Sequence, residues 1–203
     1  KNVEWLLNQN AKIIIVACNT ATTNAITELR ATYNIPIIGI EPAIKPAALN
    51  SKSGKVGVLA TQGTLLSKKY LEAQTQYPDI TFINQIGYRI VQIIEDGGLY
   101  SEELKDLLHL YLDPMIAANI DYLVLGCTHY PYLTPILKNI LPSSVTIIDS
   151  GAAVAKRTLK ILKDNKLLKT DTLIGNAEFY TNKDKEILQS FIDGFGTAKK
   201  IDF

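Results

Sequence analysis

The sequence predicts an α/β protein of two pseudo-symmetric domains, each with a mainly parallel sheet covered by helices, and an active site in the cleft between them. Three observations predict it. Apolar runs alternate with helical patterns along nearly the whole chain, as βα units require. Runs such as 13–16 and 145–148 are continuously apolar, which suits strands buried on both faces of a parallel sheet. One corner is written twice. Ile13-Ile14-Ile15-Val16-Ala17-Cys18-Asn19-Thr20 and Tyr122-Leu123-Val124-Leu125-Gly126-Cys127-Thr128-His129 each read as an apolar strand, a small residue, a cysteine, and a polar pair opening a helix. The expected division is residues 1–41 with 150–203 as one domain and 42–149 as the other.

Residues 1–9 read as the tail of an amphipathic helix, with Val3, Leu6 and Leu7 on one face. There is no initiator Met, so a segment preceding Lys1 is expected. Strand 13–17 leads to helix 20–32, strand 35–40 and helix 42–49. The polar turn Ser51-Lys52-Ser53-Gly54 follows. Strand 56–60 leads to helix 64–76, and a short strand, 80–83, follows Pro78-Asp79. Helix 88–95 stops at Asp96-Gly97-Gly98. Ser101 is the expected N-cap of a helix running to about residue 118. Then come strand 122–125, helix 131–141, strand 145–148, helix 152–163, a strand near 172–180, and a closing helix 183–192.

With 203 residues, 47% of them hydrophobic, the chain can build an ordinary globular core. A net charge of +1 gives no electrostatic footprint for nucleic acid. No apolar run approaches the roughly 18 residues of a membrane span, and no secretory signal is visible. A chain this long does not need a disulfide staple, so two reduced thiols in a cytoplasmic setting are expected. No GxGxxG or P-loop pattern supports a nucleotide cofactor. Neither cysteine belongs to a set of Cys and His residues at metal-site spacing.

Two thiols presented by matching strand-end corners can face each other across a cleft, because ligands of open α/β sheets bind at the carboxyl ends of strands. That arrangement suits inversion of a carbon acid. One thiolate removes the proton and the opposite thiol returns one to the other face. A thiol starts from a pKa of about 8.5, and a helix N-terminus following it favours the thiolate. Asn19, Thr20 and Thr128 can hold a carboxylate, and His129 can tune or protonate Cys127. The corner Thr61-Gln62-Gly63-Thr64 adds two hydroxyls, which could equally cap the following helix. His109 reads as an ordinary helix-face residue and Tyr130-Pro131-Tyr132 as wall packing.

At these residues the chain resembles the glutamate racemase family of the aspartate/glutamate racemase superfamily. Ala17-Cys18-Asn19-Thr20-Ala21 and Gly126-Cys127-Thr128-His129-Tyr130-Pro131 match its two catalytic motifs. Ile40-Glu41-Pro42, the corner 56–64 and Phe179-Tyr180-Thr181 are supporting matches. The resemblance implies cofactor-independent interconversion of L- and D-glutamate, supplying D-glutamate for peptidoglycan. Cys18 and Cys127 would be the acid/bases, assisted by His129, and Asn19, Thr20, Thr61, Thr64 and Thr128 would bind substrate. Glu95 aligns with an acidic residue proposed to act in some members. Sister aspartate racemases usually carry Glu at the position of His129, which favours glutamate.

The family's usual Asp-Ser-Gly-x-Gly-Gly and Pro-Tyr-Gly segments do not occur in this sequence, and Ile86-Gly87-Tyr88 replaces a small-Cys-Pro triplet. A racemase of aspartate or another amino acid, and an inactive relative that only binds a small carboxylate, therefore stay open beside the glutamate reading. So does a homodimer, for which the apolar face of 104–116 is a candidate contact. The expected partner is a small molecule, with no nucleic acid and no membrane.

Overall fold

The apolar runs become parallel strands in a computed structural model that describes residues 1–169, 175–192 and 194–202. β1 (Ile14–Val16) pairs with β2 (Ile37–Gly39). β3 (Lys55–Ala60), β4 (Thr81–Ile86), β5 (Tyr122–Gly126) and β6 (Thr146–Ile148) form a four-stranded sheet in the order β4-β3-β5-β6. Its register sets Val58 beside Val124 and Ala60 beside Gly126. A third parallel pair joins β7 (Phe179–Thr181) to β8 (Ala198–Lys200). Every strand pairing among the described residues is parallel, as the expected fold class requires.

The connections are helical. They are α1 (Asn2–Asn8), α2 (Asn19–Thr32), α3 (Ile44–Asn50), α4 (Gln62–Leu65), α5 (Lys68–Gln74), α6 (Ile90–Glu95), α7 (Glu102–Ala117), α8 (Thr134–Ile140), α9 (Gly151–Asp164) and α10 (Lys185–Phe191). Both faces of the four-stranded sheet are covered. Leu59, Leu123 and Leu125 pack on one side against Leu104, Leu108, Leu112 and Met115 of α7. Val56, Val58, Ala60 and Val124 pack on the other side against Ile44 and Ala47 of α3 and against Tyr70. The period of two along β3 thus divides one apolar run between two cores. Each of the Leu, Val, Ile and Met side chains contributes about 1.5–3 kcal/mol by leaving water.

Local chemistry sets the ends of the elements. Ser101 caps α7 by accepting from the Leu104 N–H at 3.2 Å. α6 ends at Asp96, after which Gly97 adopts φ +80 and the Gly98 N–H returns to the Ile93 carbonyl at 2.8 Å. The expected continuous helix 64–76 is broken in two. The Ser67 hydroxyl donates to the Thr64 carbonyl at 2.7 Å and accepts from the Tyr70 N–H at 3.3 Å, so it ends one helix and caps the next. The expected helix 131–141 begins instead as a 3-10 turn over Tyr130–Leu133, and α8 starts only at Thr134. Pro135 lacks the N–H that an α-helix beginning at Pro131 would need for its first hydrogen bond.

The apolar face expected to serve as a subunit contact is largely spent inside the protomer. Leu104, Leu108, Tyr111, Leu112 and Met115 are all buried, while Leu110 stands exposed on the outer face. Of the strand expected near 172–180, only Phe179 and Tyr180 are found in one, β7; residues 175–178 are not strand, and residues 170–174 lie outside the described set. No helix among the described residues is long and apolar enough to cross a membrane. The chain passes twice between β1-β2 and the four-stranded sheet, near Glu41 and near Ser150. The Ser150 hydroxyl donates to the Glu41 carbonyl and ties the two crossings together.

Candidate active site

β1 delivers Cys18 to the N-cap position of α2, where its sulfur accepts from the Ala21 N–H at 3.5 Å. The thiol is free and exposed. Buried Thr22 fixes this corner. Its hydroxyl donates to the Val16 carbonyl at 3.0 Å and accepts from the Ile40 N–H at 3.1 Å, so it binds the ends of β1 and β2 to α2.

β5 delivers Cys127, which is free and buried. The expected helix does not open directly after it. A turn closes through the Tyr130 N–H to the Cys127 carbonyl at 3.1 Å, and the 3-10 segment follows. Burial pushes the Cys127 thiol above the usual thiol range; the His129 and Tyr130 backbone N–H groups oppose this, and negative charge on Cys18 and Glu95 adds to it. A helix start directly after the thiol is thus found at Cys18 and not at Cys127.

His129 stands between Cys127 and an acid. Its Nδ1 is 3.9 Å from the Cys127 sulfur, and its Nε2 is 3.0 Å from Glu95 Oε1. Both side chains of this hydrogen bond are about two-thirds buried, at 30% and 32% exposure. When Nε2 donates to Glu95, Nδ1 presents its lone pair to the thiol proton. Glu95, reached in sequence only by resemblance, is therefore in place to orient the histidine.

The three threonines converge. The Thr20 hydroxyl lies 2.7 Å from that of Thr61 and 3.1 Å from that of Thr64, with 3.0 Å between the last two. Thr61 precedes α4 without a side-chain cap, so the capping alternative does not hold for it. Gly63 permits this approach, since a Cβ there would stand 2.7 Å from Thr20 Cγ2. Asn19 is 3% exposed, and its Oδ1 has no hydrogen-bond partner among the described residues. A buried acceptor left without a donor costs about 1–3 kcal/mol, and an incoming N–H donor would satisfy it.

Asn19, Cys127, Thr128, Asp149 and Ser150 line a largely apolar cavity of about 720 Å³, and Ala17 brings the Cys18 corner to its wall. Leu159 and Leu162 of α9 and Ile15 form its apolar side. Of the sequence-selected residues, Asn19, Cys127 and Thr128 line this cavity, Thr61 and Glu95 line a separate one with Gln62 and Tyr88, and Thr20, Thr64 and His129 connect to them by the contacts above. The sequence reading missed Asp149 and Ser150, although a polar pair directly after the apolar run 145–148 is the same signal that marks the cysteines. It also missed the buried hydroxyl of Tyr130. His109 fits its bland reading, facing Asp113 at 3.2 Å on the exposed side of α7. Among the described residues, no three His, Cys, Asp or Glu side chains cluster as metal ligands would.

Comparison with known proteins gives the family and the overall fold. A glutamate racemase of Pseudomonas putida strain GB-1 is 45% identical over 186 residues, spanning 91% of this chain and 70% of that protein. Escherichia coli glutamate racemase, solved with L-glutamate and the activator UDP-MurNAc-Ala, superposes with a TM-score of 0.83 at 28% identity, covering 98% of this chain and 78% of that one. The Francisella tularensis glutamate racemase bound to D-glutamate gives a TM-score of 0.79 at 27% identity, covering 99% and 77%. Residues 1–158 match the model of the Asp/Glu/hydantoin racemase family, and the chain belongs to that family.

Proposed function

We propose that this chain interconverts L- and D-glutamate by a two-thiol acid/base mechanism that uses no cofactor. The observation that carries the reading is the pair of free thiols at the carboxyl ends of parallel strands in two separate sheets, with Cys127 in the wall of a cavity also lined by Ala17 and Asn19, the neighbours of Cys18. The names and bound ligands of the relatives point to glutamate.

The geometry supports a specific division of labour. Substrate lies between the two sulfurs. The orphaned Oδ1 of Asn19 takes the ammonium, and the hydroxyls of Thr20, Thr61, Thr64 and Thr128 take carboxylate oxygens. In one direction the Cys18 thiolate removes the α-proton, and the electron pair left on carbon spreads into the carboxylate. The Cys127 S–H, kept protonated by burial, then donates to the opposite face. Both thiols end with their protonation reversed, and exchange with solvent resets them. His129, oriented by Glu95, provides a path for the Cys127 proton.

The proposal assigns residues 1–41 with 150–203, and residues 42–149, to the two halves that close on substrate. In support, the Glu41 and Ser150 crossings are joined by a hydrogen bond at that boundary. Supply of D-glutamate to peptidoglycan in the cytoplasm belongs to the same reading. Any homodimer would have to use a face other than the buried side of α7.

The test is optical. Purified protein with L-glutamate and no added cofactor is expected to bring the circular dichroism signal of the amino acid to zero, while L-aspartate changes at least about a hundredfold more slowly. A constant signal from folded protein, or a faster rate on aspartate, overturns the reading.

A further inference from the structure

Glu95 is the last residue of α6, a helix of only six residues, and it must arrive at His129 within hydrogen-bond distance. The buried side chains of Ile90, Ile93 and Ile94 hold this helix against the core. The hydrophobic contribution to such packing is non-directional. Directional contacts are found in the segment just before the helix. The Tyr130 hydroxyl donates to the Gly87 carbonyl at 3.2 Å, and the Tyr111 hydroxyl donates to the next carbonyl, that of Tyr88, at 3.3 Å. Both tyrosines are buried, at 0% and 8% exposure, and burial pushes both hydroxyls above the usual tyrosine range, so they remain donors.

Gly87 is shaped for this contact. A Cβ there would stand 2.2 Å from the Tyr130 hydroxyl oxygen. Arg89 then turns the chain into α6 through a left-handed conformation, φ 63, which an L side chain adopts only under constraint. The consequence is a closed ring. His129 and Tyr130, adjacent in sequence and just beyond Cys127, hold opposite ends of one helix about 9 Å long. Tyr130 grips the segment that starts it, and His129 receives the Glu95 that ends it.

We propose that Tyr130 and Tyr111 are positioning residues for the reaction, clamping the Gly87-Tyr88 carbonyls so that α6 delivers Glu95 to His129 and thereby sets the state of Cys127. The proposal rests on the two-thiol reading for its kinetic consequence, but the clamp also has a signature that needs no turnover.

The experiment compares Tyr130→Phe, Tyr111→Phe, their double variant, Glu95→Gln, and the triple combination. Phenylalanine keeps the ring packing and removes only the donor. The double variant is expected to lose about tenfold in kcat with KM changed less than about twofold, because a small misplacement of a catalytic group acts on the chemical step. Adding Glu95→Gln is expected to cause little further loss, since both changes break one pathway. The second readout is the pH dependence of iodoacetamide labelling at Cys127, followed on its peptide by mass spectrometry. The groups facing that thiol are Cys18, His129, Tyr130 and Glu95, with Asp149 on the same cavity wall. The double tyrosine variant is expected to shift the labelling midpoint in the same direction as Glu95→Gln.

Unchanged kcat in a folded double variant overturns the proposal. So do fully multiplicative losses with Glu95→Gln, or a thermal midpoint that falls with no change in labelling. If no protein racemises glutamate, including the unaltered chain, the two-thiol reading has failed. The labelling shift then decides the clamp alone, its presence supporting the clamp and its absence overturning it.

Discussion

Cys18→Ala and Cys127→Ala are each expected to lose at least about a thousandfold in racemisation, the scale of a positioned acid/base removed outright. The loss must be equal in both directions. L- and D-glutamate are mirror images with the same free energy, so the equilibrium constant is unity and kcat/KM for the two enantiomers stays equal in every variant. What separates the variants is the half-reaction left behind. A chain with one thiol can still remove the α-proton from the enantiomer that presents it to that sulfur. Each variant is therefore expected to exchange the α-hydrogen of one enantiomer with solvent without inverting it, and the two variants are expected to choose opposite enantiomers. NMR of each enantiomer in D2O with each variant measures this. Exchange of the same enantiomer by both variants would show that the thiols do not flank the substrate.

The second large effect is expected at Gly126, where β5 meets β3 directly before Cys127. A Cβ at this position would lie 2.6 Å from the Ala60 Cβ and 3.4 Å from the Leu59 carbonyl, and both belong to the paired strand rather than to a flexible tip. Gly126→Ala must push the strands apart at the end that carries the thiol. Overpacking of this kind costs about 1–3 kcal/mol, which for a chain this size lowers the thermal midpoint by roughly 3–10 °C. The same displacement moves Cys127 relative to Cys18, so activity at a temperature where the variant is fully folded is expected to fall at least about tenfold. Differential scanning calorimetry beside the racemisation assay checks both. A variant with unchanged midpoint and rate would mean that the corner tolerates movement.

Much of this molecule was legible in the sequence because its strands are short, continuously apolar and followed by small or polar residues. β1, β3, β5 and β6 could be placed from that pattern, and with them both thiols. The misplaced helix boundaries share a cause. Ser67, Pro131 and Pro135 interrupt patterns whose apolar spacing continues through them, and the hydrogen bonds that decide the break are not part of the spacing. β8 was missed because Ala198-Lys199-Lys200 has neither an apolar run nor alternation; it is a strand only because β7 pairs with it.

The site divides along the same line. Which residues gather around the cysteines followed from local motifs. The difference between an exposed Cys18 and a buried Cys127 did not, because it depends on what packs around each corner. The Tyr130–Gly87 contact joins positions 43 residues apart and the Glu95–His129 contact joins positions 34 apart. No local pattern encodes either, although the glycine that replaces a bulkier residue at position 87 was visible as a departure from the family.

The most direct measurement follows the fate of the substrate's own α-hydrogen. L-glutamate is incubated with the unaltered chain in D2O and sampled before a tenth has reacted. Two opposed thiols require that the D-glutamate formed carry deuterium at its α-carbon while the remaining L-glutamate keeps its hydrogen. D-glutamate that retains the original hydrogen would mean that one group both took the proton and returned it, and the account of Cys18 and Cys127 as partners would be wrong.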